Sequence, residues 1–209
     1  MELSTWFAFF AACWAISLSP GAGAIAAMSS GLNHGFARGY FTTFGLVAGI
    51  WTQVVIVSVG LGALIAASSL AFAVVKWLGV AYLVWLGVKQ WRAPAEPMVA
   101  ESAEAGAVPR RTLVLRGWMI NTVNPKGTVF LLAVVPQFLD IHAPLAPQYL
   151  TIALSLGFTD LVVMAGYTAL ASKVLRLLKS PRQIRLLNRG FGGLFVAAGG
   201  LLATFKRAV

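Results

Sequence analysis

Two long stretches without Asp, Glu, Lys or Arg dominate the first third of the chain. They cover residues 3–37 and 39–75, and each exceeds the roughly 20 apolar residues that cross a bilayer as a helix. Across all 209 residues, 59% are hydrophobic and only 11% are charged. Open sheet edges are not tolerated in lipid, so the sequence predicts an all-α polytopic membrane protein with no room for a sizeable soluble domain.

Charge-free runs bounded by turn residues or basic clusters predict six membrane spans. The spans cover about residues 5–30, 40–66, 70–91, 113–139, 147–172 and 186–204. The third span is the least clean, because Lys76 and Lys89 flank it closely and one of them must extend toward a headgroup. A five-span arrangement therefore stays open.

The net charge of +10 lies mostly in short connections between apolar runs, which is how membrane orientation is encoded, so it does not indicate a nucleic-acid partner. By the positive-inside rule the connections after the first, third and fifth spans face the cytoplasm and both termini face the opposite side. These connections hold twelve of the 16 Lys and Arg residues: Arg38, Lys89, Arg92, Arg110, Arg111, Arg116, Lys173, Arg176, Lys179, Arg182, Arg185 and Arg189.

Two spans are interrupted near their middle by similar motifs, Ser19-Pro20-Gly21-Ala22-Gly23 and Asn124-Pro125-Lys126-Gly127, whose prolines are 105 positions apart. The second span shifted by this distance nearly overlays the fifth, and the third overlaps the sixth less well. Three spans per half imply opposite insertion of the two halves, so we predict a 3+3 inverted repeat with broken helices 1 and 4. Its parts are residues 1–92, a flexible linker at 93–112, and residues 113–209.

Each motif predicts that a helix restarts inside the bilayer. Ser19 and Asn124 are capping residues, and the proline after each can occupy the first position of the new helix. Two such helix N-termini would expose N–H groups that can bind a carboxylate or carbonyl oxygen. Gly21 and Gly23 lie at the first of these N-termini. The alternative is a pair of simple proline kinks, which the matching positions, caps and glycines disfavour.

Asp160 is the only acid deep in a predicted span, roughly 20 Å from its start, and an ionisable group there is a functional hypothesis by default. Its carboxyl group could bind a proton and a substrate ammonium in alternation, which would couple the two, or it could form a structural pair with Lys126. Lys126 could pair with a substrate carboxylate, pair with Asp160, or extend to a headgroup. Four polar residues at similar depth could line the same cavity or simply hydrogen-bond between helices: Gln53, Asn121, Thr122 and Tyr167.

Other features indicate packing rather than chemistry. Glycines at four-residue spacing, Gly45 with Gly49 and Gly35 with Gly39, favour close helix contact or a turn over a dedicated dimer face, although a homo-oligomer stays open. The single cysteine, Cys13, is expected to pack as a small apolar residue. No metal-spaced cluster, phosphate loop or nucleophile motif is present, so we expect no cofactor, no metal and no enzymatic activity.

Several motifs together resemble the LysE/RhtB amino-acid exporters over essentially the full chain. Within this family they resemble the branch that exports homoserine and homoserine lactone. The resemblance implies a bacterial inner-membrane efflux protein driven by proton exchange, with a small amino acid as substrate. In such a membrane the charge distribution places both termini in the periplasm. The motifs are residues 17–21, 32–35, 76–87, Asn124-Pro125-Lys126, Pro136-Gln137-Phe138, Asp160 and Tyr167.

The substrate-binding residues expected from the breaks and the resemblance are Ser19, Pro20, Gly21, Gly23, Asn121, Asn124, Pro125, Lys126, Asp160 and Tyr167. Two alternatives belong to other function classes, a membrane enzyme and a passive channel. A membrane enzyme would need a nucleophile with a base or a metal cluster, and the sequence offers neither. A passive amino-acid channel, or an exporter of a different amino acid, stays the alternative.

Overall fold

A computed structural model describes residues 1–67, 69–92, 108–173 and 181–204. In these ranges the chain is all-helical and contains no strand. The helices are α1 (Leu3–Leu18), α2 (Ala22–Gly39), α3 (Phe41–Ala67), α4 (Ser69–Trp91), α5 (Arg110–Thr122), α6 (Pro125–Val134), α7 (Leu145–Lys173) and α8 (Pro181–Thr204), with a short 3₁₀ turn at Val135–Gln137.

The helices follow the apolar runs of the sequence. Phe41–Gly60 and Leu145–Ser172 are each long and apolar enough to cross a membrane. The pair α1 and α2, which bends by 55° at its break, is a third candidate within the described ranges. The prediction of an all-helical membrane protein is confirmed at this level, whereas the count of six spans stays a prediction.

Both predicted breaks are present as helix ends. α1 stops at Leu18 and α2 starts at Ala22, and α5 stops at Thr122 before α6 starts at Pro125. Most of the predicted linker, residues 93–107, lies outside the described residues, and α5 begins at Arg110.

Helix pairs pack through glycines that let backbones touch. The most extensive pairings join α3 to α5, α4 to α8 and α2 to α7. A Cβ added to Gly45 would overlap the carbonyl oxygen of Val114, and one added to Gly49 would lie 2.7 Å from Cβ of Asn121. The expected close packing at Gly45 and Gly49 is therefore confirmed, and its partner is α5 of the same chain.

Gly35 serves a different purpose from Gly45. Its φ of 71° interrupts α2, and a Cβ there would meet nothing within 4 Å. This is the left-handed region that favours glycine, so Gly35 forms a turn rather than a helix contact.

α4 and α8 meet at a reciprocal pair of glycines. A Cβ on Gly87 would lie 2.8 Å from the carbonyl oxygen of Gly192, and a Cβ on Gly192 would lie 2.6 Å from that of Gly87. Gly87 also touches Val196 while Gly192 touches Trp91. Trp91 lies four residues after Gly87 on α4, and its partner Gly192 lies four residues before Val196, the partner of Gly87, on α8. The two helices therefore run antiparallel.

Two buried apolar clusters enclose the centre of the bundle. One contains Phe9, Cys13, Phe130 and Ile152, and the other contains Ala27 and Leu46. Cys13 is fully buried, as expected for a packed small residue. Because side chains of both clusters line the cavity described below, that cavity lies between them.

We predict that Gly45→Ala destabilises the protein by about 1–3 kcal/mol, since the added methyl overlaps the α5 backbone. Gly60→Ala on the same helix is the matched control, because a Cβ there meets nothing within 4 Å. Thermal unfolding of the purified protein in detergent measures both. Equal midpoints for the two variants would contradict the packing of α3 on α5.

Candidate functional site

A small internal cavity lies between the two helix breaks. Its volume is about 60 Å³. Residues of α1, α2 and α3 from the first half of the sequence and of α5, α6 and α7 from the second half line it. The lining residues with polar side chains are Ser17, Ser19, Gln53, Asn121, Asn124, Lys126 and Asp160, and the lining glycines are Gly21, Gly23 and Gly127.

The break between α5 and α6 is built as predicted. Asn124 is the N-cap of α6, its side-chain oxygen accepts a hydrogen bond from the Lys126 N–H at 3.1 Å, and Pro125 occupies the first turn. The Asn124 amide donates to Oδ1 of Asn121 at 3.0 Å, and Asn121 donates to the carbonyl of Leu46 at 2.8 Å. This series of bonds fixes the start of α6 against α3.

Gln53 of α3 completes the same break. Its Nε2 donates to the carbonyl oxygen of Asn124 and to Oγ1 of Thr128, each at 2.9 Å. Nε2 also lies 3.5 Å from the carbonyl oxygen of Thr122, the last residue of α5, whose carbonyl has no bond within that helix. A residue from the first half of the chain thus stabilises the break in the second.

The break between α1 and α2 differs from the prediction. Gly21 rather than Ser19 is the N-cap of α2, no side chain caps that helix, and Pro20 lies in the gap before it. The prediction of a Ser19 cap and a Pro20 first position is wrong, because the helix starts two residues later. The Ser19 side chain is buried and its hydroxyl has no hydrogen-bond partner.

The carbonyl end of α1 is held by two side chains from the second half. Nζ of Lys126 donates to the carbonyl oxygens of Ser19 at 2.7 Å and Ile16 at 3.3 Å. The Tyr167 hydroxyl donates to the carbonyl of Leu18 at 2.6 Å. A cation is favourable at a helix C-terminus, where the carbonyl groups carry partial negative charge. Lys126 thus binds backbone oxygens at the break.

Asp160 enters the cavity from α7 and is 6% exposed. Ser17 hydrogen-bonds to its carboxyl group, and the charge of Lys126 acts on it. Ser17 also lies 3.2 Å from Oγ1 of Thr159. The cavity therefore brings together an acid, a base, the carbonyl end of α1 and the N-terminal ends of α2 and α6.

Seven of the ten residues expected to bind substrate line this cavity, and Pro20, Pro125 and Tyr167 do not. Tyr167 acts on the site indirectly, through the end of α1. Ser17 and Gly127 line the cavity as well, although neither was expected to bind substrate, and Gln53 lines it with a role that the sequence left open. The available signal was weak: a lone glutamine in a charge-free run also fits ordinary interhelical bonding.

The chain matches the description LysE type translocator over residues 14–205. It belongs to this family. It is 40% identical over 208 residues to the homoserine/homoserine lactone efflux protein of Salmonella typhimurium, with 100% of both chains covered. It is 39% identical over 206 residues to an uncharacterized membrane protein of Vibrio cholerae, covering 99% of this chain and 100% of the relative.

A leucine efflux protein of an Enterobacter species is 31% identical over 193 residues, with 90% of each chain covered. No solved structure matches the chain significantly. The resemblance drawn from the sequence motifs is thereby confirmed. The family and the names of these relatives indicate a membrane transporter rather than an enzyme.

The two breaks should respond differently to loss of a side chain. Asn124→Ala removes the cap of α6 and should lower stability by about 1 kcal/mol. Ser19→Ala should leave stability unchanged, since the Ser19 hydroxyl bonds to nothing in the protein. Thermal unfolding in detergent compares the two variants with the parent. A larger loss for Ser19→Ala than for Asn124→Ala would contradict the assignment of the caps.

Proposed function

We propose that this translocator exports small neutral amino acids or their derivatives, homoserine and homoserine lactone first among them, from the cytoplasm by proton antiport. The observation that carries the proposal is the cavity at which two broken helices, one acid and one base converge. The names of the full-length relatives support the substrate class.

The site chemistry suits a zwitterion. A substrate ammonium matches Asp160 and the carbonyl oxygens at the end of α1, and a carboxylate matches the helix N-termini at Gly21 and Asn124. Homoserine lactone keeps the ammonium and replaces the carboxylate with an ester, whose oxygens can accept from the same N–H groups. One cavity can thus serve both compounds.

Loading requires movement of the surrounding helices. A cavity of about 60 Å³ is well below the 300–1,000 Å³ of typical ligand pockets. The bonds from Lys126 to Ser19 and Ile16 cross it and tie α6 to α1. We propose that the substrate ammonium replaces Lys126 at these carbonyls as the two helix ends separate. Binding and opening then become one event.

The contacts between α4 and α8 support the 3+3 inverted repeat. Gly87 and Gly192 are 105 positions apart and touch each other reciprocally. The contacts of Gly87 with Val196 and of Gly192 with Trp91 are also related by the same shift. Residues on a two-fold axis meet their own equivalents, so this pattern is what opposed halves would produce, with the halves at residues 1–92 and 113–209 joined by the linker at 93–112.

For location we propose the bacterial inner membrane with both termini in the periplasm. The distribution of Lys and Arg in the sequence supports this orientation. In the described ranges, Arg38 in the last turn of α2 donates to the carbonyl of Val108 before α5 at 2.7 Å, which brings two of the basic segments together.

Proton coupling is assigned to Asp160. A buried carboxyl group that binds either a proton or an ammonium exchanges one for the other, and this exchange is the minimal requirement of an antiporter. A second candidate function, export of leucine, draws on the name of a less similar relative, and the apolar wall formed by Ile50, Leu131 and Met164 favours it.

Proteoliposomes with an acidic interior test the proposal. Outward proton flow should drive accumulation of labelled homoserine above its external concentration, and collapse of the pH gradient with nigericin should release it. A passive channel would only equilibrate the label. Absence of homoserine accumulation while leucine accumulates would replace the substrate assignment with the second candidate.

Asp160→Asn should reduce gradient-driven accumulation to background, because the variant carries no titratable proton at this position. Homoserine exchange without a gradient should fall less, since exchange needs no net proton movement. If Asp160 only neutralises Lys126, the double variant Asp160→Asn with Lys126→Gln should regain accumulation, because removing both members of a buried pair costs less than stranding one. We expect the double variant to stay inactive, and its recovery would contradict the coupling role.

A further inference from the structure

A second cavity, of about 480 Å³, lies between the start of α1 and the start of α7. Leu3 and Trp6 line it from α1, and Pro147, Gln148 and Thr151 line it from α7. In the proposed orientation both helices start on the periplasmic side, so we call this space the outer pocket. Deeper residues of the same two helices line the central cavity between the helix breaks.

A row of hydroxyl groups on α7 runs from the outer pocket to the depth of the central cavity. Thr151 lines the outer pocket and Leu156 lines the central cavity, so five positions, or about 7.5 Å of helix rise, separate the two spaces along α7. Thr151, Ser155 and Thr159 follow at four-residue spacing and therefore lie on one face of the helix.

The barrier between the two spaces is a contact between side chains of α1 and α7. Nε1 of Trp6 donates to Oγ of Ser155 at 3.1 Å, and Oγ of Ser17 lies 3.2 Å from Oγ1 of Thr159. Both contacts show that the hydroxyl row faces α1. Trp6 also lines the outer pocket, so its bond to Ser155 lies at the inner end of that pocket.

The two sides of the bundle are closed by different kinds of contact. On the cytoplasmic side, backbones touch: a Cβ on Gly31 of α2 would overlap the carbonyl oxygen of Thr168 of α7, and one on Gly45 of α3 would overlap that of Val114 of α5. α1 contains no glycine, and on the periplasmic side of the central cavity it meets α7 through side chains. The contact between α1 and α7 can therefore open without separating closely packed backbones.

We propose that the substrate leaves the central cavity between α1 and α7, along the hydroxyl row to the outer pocket, and that Trp6 is the gate of this path. As α1 moves away from α7, the bond from Trp6 breaks. The hydroxyls of Ser155 and Thr159 can then donate to or accept from the passing substrate. Homoserine and its lactone both carry an ammonium group and carbonyl oxygens, so the path serves both. The inference rests on the proposed export function and adds the exit route.

Single thiols on α7 test the path in a Cys13→Ser background. Thr151→Cys lies in the outer pocket and Ser155→Cys lies behind Trp6, while Ala146→Cys, exposed in the first turn of α7 and outside the pocket, is the matched control. A membrane-impermeant methanethiosulfonate with a trimethylammonium group is added to intact cells before homoserine export is measured. Modification at position 151 or 155 should abolish export, because the added group fills the path, and modification at position 146 should leave it unchanged.

Mass spectrometry measures the extent of modification, so each outcome decides the proposal. Export that continues after complete modification at position 151, or a position 151 that does not react at all, would overturn the path. Equal loss of export at position 146 would overturn it as well. The export function stands in these cases, because the unmodified variants still export. A parent protein that exports no homoserine overturns the export function and the path together.

Trp6→Phe tests the gate, with Trp51→Phe as its matched control. Both variants lose an indole bond to α7, since Trp51 donates to the carbonyl oxygen of Ala153 at 2.9 Å, but Trp51 lines neither cavity. In a Cys13→Ser, Ser19→Cys background, reagent added outside must pass the gate to reach the thiol. Trp6→Phe should speed this reaction about fivefold, the shift expected when one bond that closes the gate is lost. Equal reaction rates in the two tryptophan variants would overturn the role of Trp6 as the gate.

Discussion

A helix that ends inside a membrane protein must find partners for its last carbonyls, and this requirement shapes the centre of the molecule. α1 ends at Leu18, and its carbonyls are bonded by Lys126 and Tyr167 from the second half of the chain. α5 ends at Thr122, and the following break is bonded by Gln53 from the first half. Each break therefore depends on the opposite half.

This mutual dependence connects packing to transport. Lys126 and Gln53, which bond the helix ends, also line the cavity, so a ligand that competed for their bonds would loosen the contact between the breaks. Glycine contacts hold the surrounding helices at close range without large side chains between them. Gly45 of α3 packs against α5 in this way, and Gly87 of α4 packs against α8. Rigid helix pairs around a centre with exchangeable bonds are suited to alternate opening.

The sequence was most informative where the cause is local. Asn124 followed by Pro125 predicted a capped helix start, and the cap is present because it needs only adjacent residues. The similar order of Ser19 and Pro20 misled, because the carbonyls of Leu18 and Ser19 are bonded by distant side chains and α2 begins after Gly21 without a side-chain cap. Contacts between residues far apart in the sequence cannot be predicted from local patterns. From the sequence, Lys126 could bind a substrate, Asp160 or a headgroup, and only the fold brings its amine to the carbonyls at the end of α1.

Substrate protection of a single thiol tests most directly whether ligand binds between the breaks. In a Cys13→Ser background, Ser19→Cys places a thiol on the cavity wall, and Leu18→Cys places one next to it on an exposed position outside the cavity. The account predicts that homoserine at concentrations that saturate transport slows alkylation at position 19 and leaves position 18 unaffected. Equal alkylation rates at position 19 with and without homoserine, in a variant that still transports it, would contradict the site.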